Sequence, residues 1–521
     1  MHQGIPWGTV LWGFLLLAQG CGQGGTDSPG KDIHTSDAGL GTEGLHTSDS
    51  SQPHGTPNDA AAVDSVSDSE GTGDVDLEIV LPDAVAADIS EVIGGSTLLT
   101  PIVPCDDSVE LVYTMSSVDA DMTVPRGSVQ ACATGESWSL EVMKSEAMKV
   151  QVEAVNSVRS YRISYVTQRS FGEKGLASAR VLVSDEPLDK PAPVVVVTHG
   201  TAGLADACAP SKASELPTMG TPFAGTGYVV ILPDYAGLGT EGVQGYADTL
   251  DTTASVFDAV RAVHSLFPTG TVADQYAVLG HSQGGGVALN VQALSAELEQ
   301  ELATVVAFSP GWVSSAEPSP TLYKAPQFIP VTAGAGTSAV VTAFLLYADA
   351  YNHVDAATPG MFFSDAWRDT IVGWIESDCV YKVAQQFLAL GAGVTAKDIL
   401  SPTFLNVSLS CLEEKPGCTE PYKSALERRK AAYVPMDTNG VPTLYVQALN
   451  DKQATPSRAA CYIAAMEASG YSPFVSVDVE ADHFDVVERN VSLAYDWIHA
   501  AMQGTEPPTW AFDHTTLPTC E

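Results

Sequence analysis

The chain has 521 residues, of which 45% are apolar, enough for one large domain with insertions or two ordinary ones. Lys and Arg total 24 against 63 Asp and Glu, a formal net charge of -39. Such a surface repels phosphate backbones and anionic headgroups, so nucleic acid is not an expected partner. It suits neutral or cationic substrates, and equally a chain living in salty surroundings, where its self-repulsion is screened.

In chain order, residues 1–21 read as an export signal. Val10 to Ala18 is almost wholly apolar and far too short to span a bilayer. It runs into Leu17-Ala18-Gln19-Gly20-Cys21, which resembles a bacterial lipoprotein processing site, although the segment before it has no Lys or Arg and Ala18 stands where Leu is usual. The resemblance implies a lipidated Cys21, hence membrane anchoring and an outer-membrane or extracellular location. Ordinary secretion with cleavage near Cys21 is the alternative. Eight cysteines remain, at 105, 132, 208, 379, 411, 418, 461 and 520. An even number in an exported chain points to disulfides. Cys105 with Cys132 and Cys411 with Cys418 are plausible local pairs.

Residues 22–92 are rich in Gly, Ser, Thr and Asp, and His34-Thr35-Ser36-Asp37 returns at His46-Thr47-Ser48-Asp49. Such composition cannot bury enough apolar surface to offset its ordering entropy, which predicts a solvated acidic linker. Residues 93–157 alternate in short runs, at Val109 to Tyr113 and Val150 to Val155, and predict a small β-rich region.

From 158 to 310 the pattern changes. Strands are expected at Tyr161–Thr167 and Ala179–Val183, then at three continuous apolar runs: Pro193–Thr198, Tyr228–Leu232 and Tyr276–Leu279. Continuous runs mark strands covered on both faces of a parallel sheet. Helices are expected at Thr249–Phe267 and Val287–Leu302. The alternation predicts an α/β fold with a doubly wound, mostly parallel sheet and sites at the carboxyl ends of its strands. Residues 311–437 break the alternation and read as an inserted cap, with a helix near Ala339–Tyr347. Order resumes over 438–521 with a strand at Pro442–Leu449, a helix at Pro456–Ala468, a strand at Phe474–Val479 and a helix at Val487–Met502.

The chemistry centres on Gly280-His281-Ser282-Gln283-Gly284. A bare Gly-x-Ser-x-Gly says little, but this one lies between a buried strand and a helical stretch. A serine at that corner is exposed on a strained turn, with the helix N-terminus facing a developing oxyanion. A serine needs a base to take its proton, and His483, in the loop past the last expected strand, is placed for it. His34, His46 and His54 lie in the linker, His264 in a helix, His353 in the cap and His514 in the tail, all less well placed. Asp451, directly after the strand ending at Leu449, is the expected acid, with Asp478 and Asp482 as rivals. After the strand ending at Thr198, the loop His199-Gly200-Thr201 offers the N–H of Thr201 to join that of Gln283 as an oxyanion hole, or else is a tight turn with a structural His. Nothing in this chemistry requires a metal or an organic cofactor.

Several motifs in order resemble the secretory lipase family. They are Tyr161-Arg162-Ile163-Ser164-Tyr165, Thr198-His199-Gly200-Thr201-Ala202-Gly203, Cys208-Ala209-Pro210-Ser211, Gly227 through Gly239, and Gly280 through Gly285. With Asp451 and His483, the similarity covers roughly residues 160 to 500. It implies an α/β-hydrolase fold, a cap between the sixth and seventh strands, and hydrolysis of carboxylic esters, small or lipid, at Ser282. A serine peptidase on the same fold and a non-catalytic surface-binding protein are the alternatives. The apolar composition near Ala339–Leu346 suggests that the cap lines an acyl or aromatic pocket, with Phe344 and Leu345 as its test positions.

Overall fold

The strands of one sheet are β1 (Val129–Trp138), β2 (Val158–Gln168), β3 (Lys174–Ser184), β4 (Ala192–Thr198), β5 (Val229–Pro233), β6 (Val272–His281), β7 (Glu301–Phe308), β8 (Thr443–Ala448) and β9 (Phe474–Asp478). The computed structural model describes residues 97–311, 336–391, 394–412, 415–431, 439–507 and 516–520. The expected export segment, Cys21 and the linker 22–92 lie outside them.

The spatial order is β1-β2-β3-β5-β4-β6-β7-β8-β9. β1, β2, β3 and β5 pair antiparallel, and every pair from β5 through β4 to β9 is parallel. The parallel centre explains the unbroken apolar runs. Val194 and Val196 pack with Tyr276 and Val278 on one face of the sheet, and Val195 and Val197 with Ala277 and Leu279 on the other. Alternate side chains therefore point to opposite faces, and each face is covered. On the first face lie α4 (Thr249–Leu266) and α5 (Gln283–Ala293). On the second lie α2 (Leu140–Met148), α3 (Thr221–Gly225) and the last helix, Val486–Met502, through Met143, Phe223 and Trp497.

Three expected elements differ. Val109 to Tyr113 is not a strand but part of a helix, α1 (Val109–Thr114), whose N-terminus is capped by the Ser108 side chain accepting from the Leu111 N–H. Residues 150–155 form no ladder. Val150, Val152 and Ala154 do alternate inward, but the N–H groups of Val155 and Asn156 both donate to the Gly225 carbonyl. The region contributes one strand, β1, to the edge of the main sheet, tied to the preceding loop by a Cys105–Cys132 disulfide. The helix expected over 287–302 starts earlier and ends at Ala293, and Glu301–Phe308 is β7, which lies between β6 and β8.

Between β7 and β8 the described residues are helical: Gly336–Asp349, Arg368–Ser377, Val380–Ala389, Ala396–Ile399, Pro402–Leu412 and Tyr422–Ala431. They gather around a separate apolar cluster that contains Phe344, Leu345, Ile371, Phe387 and Phe404. Phe344 and Leu345 expose nothing. They fill the core of this helical cap, so polar residues there would act on its stability before any substrate preference. A Cys411–Cys418 disulfide closes a loop of the cap.

Candidate active site

β6 ends at His281, and Ser282 takes φ 55° and ψ -120° before α5 begins at Gln283. That left-handed conformation costs a non-glycine residue roughly 1 kcal/mol or more and persists only where the surroundings enforce it. Here they do. The Ser282 N–H donates to the Phe308 carbonyl at 3.0 Å, and its carbonyl accepts from Gly286 and Gly311 at 3.1 and 2.7 Å. The flanking glycines are required by close approach of β4. A Cβ on Gly280 would lie 2.1 Å from Thr198 Oγ1, and one on Gly284 would lie 2.0 Å from the Thr198 carbonyl oxygen. The Thr198 hydroxyl locks the corner by donating to the Gly284 carbonyl at 2.8 Å.

His483 stands in the loop after β9, buried, with Nε2 2.9 Å from Ser282 Oγ. Its Nδ1 lies 2.7 Å from Asp451 Oδ2. The other carboxylate oxygen of Asp451 accepts from the N–H groups of Gln453 and Ala454 at 2.7 and 2.8 Å. A carboxylate so held is an acceptor, which places the imidazole proton on Nδ1 and leaves the Nε2 lone pair for the serine hydroxyl. The rival acids are occupied elsewhere. Asp478 pairs with Arg489 at 2.8 Å, and Asp482 accepts from the N–H of Phe484 at 2.8 Å. The structure thus brings together Ser282, His483 and Asp451 from three separate loops.

The N–H of Gln283 opens α5 one residue past Ser282. The loop after β4 packs over the same corner, since a Cβ on Gly200 would lie 3.6 Å from Ser282 Cβ. The next residue, Thr201, holds its hydroxyl 2.6 Å from the Tyr246 hydroxyl. His199 is structural in its contacts. It stacks on Tyr235 with ring centroids 4.3 Å apart, and burial lowers its pKa. Tyr246 had no distinguishing signal in the sequence, because its partner is 45 residues away.

The cap is fastened beside this loop. Cys208, past the loop's end, is bonded to Cys379 at the start of the cap helix Val380–Ala389, and the Val380 N–H donates to the Ala202 carbonyl at 2.9 Å. Deeper in, Arg429 of the cap pairs with buried Asp349 and donates to the Tyr246 carbonyl at 3.1 Å. His353 lies 3.2 Å from both Asp248, which caps α4, and Asp349.

No family model matches the chain, and no curated protein matches it. Solved structures do. The rice cell wall degrading esterase LipA from Xanthomonas oryzae, in a ligand-bound form, superposes with a TM-score of 0.53 at 20% identity, covering 73% of this chain and 95% of that one. Candida antarctica lipase A in its closed state superposes with a TM-score of 0.56 at 17% identity, covering 80% of this chain and 90% of the lipase. The fold is that of the α/β-hydrolases. Within this fold, β1 is added outside β2, and the helical cap enters between β7 and β8.

Proposed function

We propose that the chain is an exported serine carboxylic-ester hydrolase, an esterase or lipase that works through an acyl-enzyme on Ser282. The observation that carries this is the continuous relay from Ser282 Oγ to His483 at 2.9 Å and from His483 to Asp451 at 2.7 Å, built on a strained strand-to-helix corner. Further support comes from the order of motifs, which resembles that of the secretory lipase family, and from the fold shared with proteins described as an esterase and a lipase. Export is supported by four disulfides. Lipidation of Cys21, with anchoring to a membrane, rests on the residues around it.

In the reaction, Ser282 Oγ bonds to the ester carbonyl carbon while its proton passes to His483 Nε2. The Asp451 carboxylate holds the tautomer and stabilises the imidazolium. N–H groups of Gln283 and Thr201 receive the oxyanion. The C–O bond to the alcohol then breaks, and the alcohol leaves with the proton from His483. Water, deprotonated by His483, attacks the acyl-enzyme, and collapse returns the proton to Ser282 and frees the acid.

The test is hydrolysis of p-nitrophenyl esters from acetate to palmitate by the purified chain and by Ser282→Ala. Activity that is lost in the variant is the expected result, and the best chain length separates esterase from lipase. A folded chain that cleaves no ester would move the assignment to a serine peptidase or a non-catalytic binding protein.

A further inference from the structure

His281 belongs to the nucleophile motif, yet nothing in the relay uses its side chain. Its Nε2 lies 2.6 Å from the backbone carbonyl oxygen of His483, and the two imidazole rings pack with centroids 4.8 Å apart. A carbonyl only accepts, so Nε2 of His281 carries a proton and donates it. His483 itself lies in a short loop. Ahead of it, Asp478 accepts from the N–H groups of Glu480 and Ala481, both at 3.1 Å. Behind it, Asp482 accepts from those of Phe484 and Asp485 at 2.8 and 3.2 Å. Those bonds shape the loop internally. The bond from His281 is different, because it ties the loop to the end of β6, one residue from Ser282.

We infer that His281 is a positioning residue that fixes the base at its distance from the nucleophile by holding the His483 carbonyl. The inference rests on the acyl-enzyme reading of Ser282 above. Through this bond, the strand that carries the nucleophile also sets the backbone of the base, so the 2.9 Å contact between Oγ and Nε2 does not depend on the loop alone. The ring suits the place for a second reason. Burial, and then the neighbouring His483, hold its pKa down at about 3, so it stays neutral when the imidazolium forms beside it. A Lys or Arg donor here would oppose that proton transfer by like-charge repulsion.

The test compares His281→Gln, which keeps an N–H donor without charge, with His281→Met, which has similar length and no donor, and His281→Phe, which keeps a ring. Steady-state hydrolysis of the best p-nitrophenyl ester is followed alongside thermal unfolding. A misplacement of about 1 Å can cost about 100-fold in rate. Met and Phe should therefore lower kcat about 10- to 100-fold with KM within about twofold, and Gln should recover most of the loss. Met and Phe variants within threefold of the parent kcat would overturn the inference, as would a Gln variant as slow as Met. If Met and Phe do not fold, 15N NMR of the parent chain decides: an Nε2-protonated His281 is expected, and an Nδ1-protonated one overturns the inference. Ester hydrolysis that survives Ser282→Ala would instead remove the reading on which the inference rests, whatever the His281 variants do.

Discussion

The Cys208–Cys379 disulfide joins the stretch after the candidate oxyanion loop to the cap across 171 residues of sequence. Replacing both cysteines by alanine removes the cross-link from the unfolded as well as the folded chain. In the chain-entropy treatment, a closed loop of that length restricts the unfolded ensemble by about 5 kcal/mol at 25 °C. The unfolding entropy is about 2.1 cal/mol/K per residue, which over roughly 400 ordered residues makes the loss about 6 °C in Tm. Packing adds to it: Gly203 lies so close to this bridge that a Cβ there would sit 3.0 Å from Cys208 Sγ and 3.1 Å from Cys379 Cα. The assay is scanning calorimetry without reductant, with peptide mapping of the non-reduced parent chain to establish the pairing. The double variant should melt several degrees lower and show reduced kcat from the loosened loop. A Tm within 1 °C of the parent, with the 208–379 pair present in the parent, would refute the claim that this bridge holds the cap to the core.

Asp451→Asn should lower kcat about 1,000- to 10,000-fold with little change in KM, because an amide can donate to Nδ1 and stabilise the wrong tautomer; the same ester assay checks it. Asp234, buried at the end of β5, should give a pH signature. Burial lifts its carboxyl to about 6 against the hydrogen bonds from Ser178 and Ser211. The folded pKa is above the unfolded one, so this group's contribution to stability is complete below pH about 4 and is lost as pH rises through about 6. Urea titrations from pH 4 to 7 should show Asp234→Asn gaining about 2 kcal/mol on the parent chain across that window. Parallel pH curves for the two would contradict it.

What the sequence revealed follows from how local each signal is. β4 and β6 were legible because both faces are covered and their apolar runs are unbroken. The Ser282 corner was legible because its steric demand for glycine falls within five consecutive residues. β7 was missed because Ser295 to Glu301 continues the helix-favouring composition of α5, and only the run from Val305 to Phe308 belongs visibly to a sheet. α1 was misread because its alternation is real, while the Ser108 cap decides the backbone. At 150–155 side chains alternate as in a strand, but the hydrogen-bond partner, Gly225, is distant in sequence. The two short-range disulfides were expected from proximity, whereas Cys208–Cys379 and Cys461–Cys520 needed the fold to show their pairing. The bond between His281 and His483 is 202 residues apart in sequence and has no local trace.

The measurement that bears on the nucleophile itself is inactivation with diethyl p-nitrophenyl phosphate, followed by peptide mass spectrometry. Ser282 should attack phosphorus and release p-nitrophenolate. One diethylphosphoryl group per chain should be found on Ser282, in proportion to the ester hydrolysis lost, and none in His483→Ala. Complete loss of ester hydrolysis with the adduct on another residue, or undiminished labelling of Ser282 without His483, would contradict the mechanism.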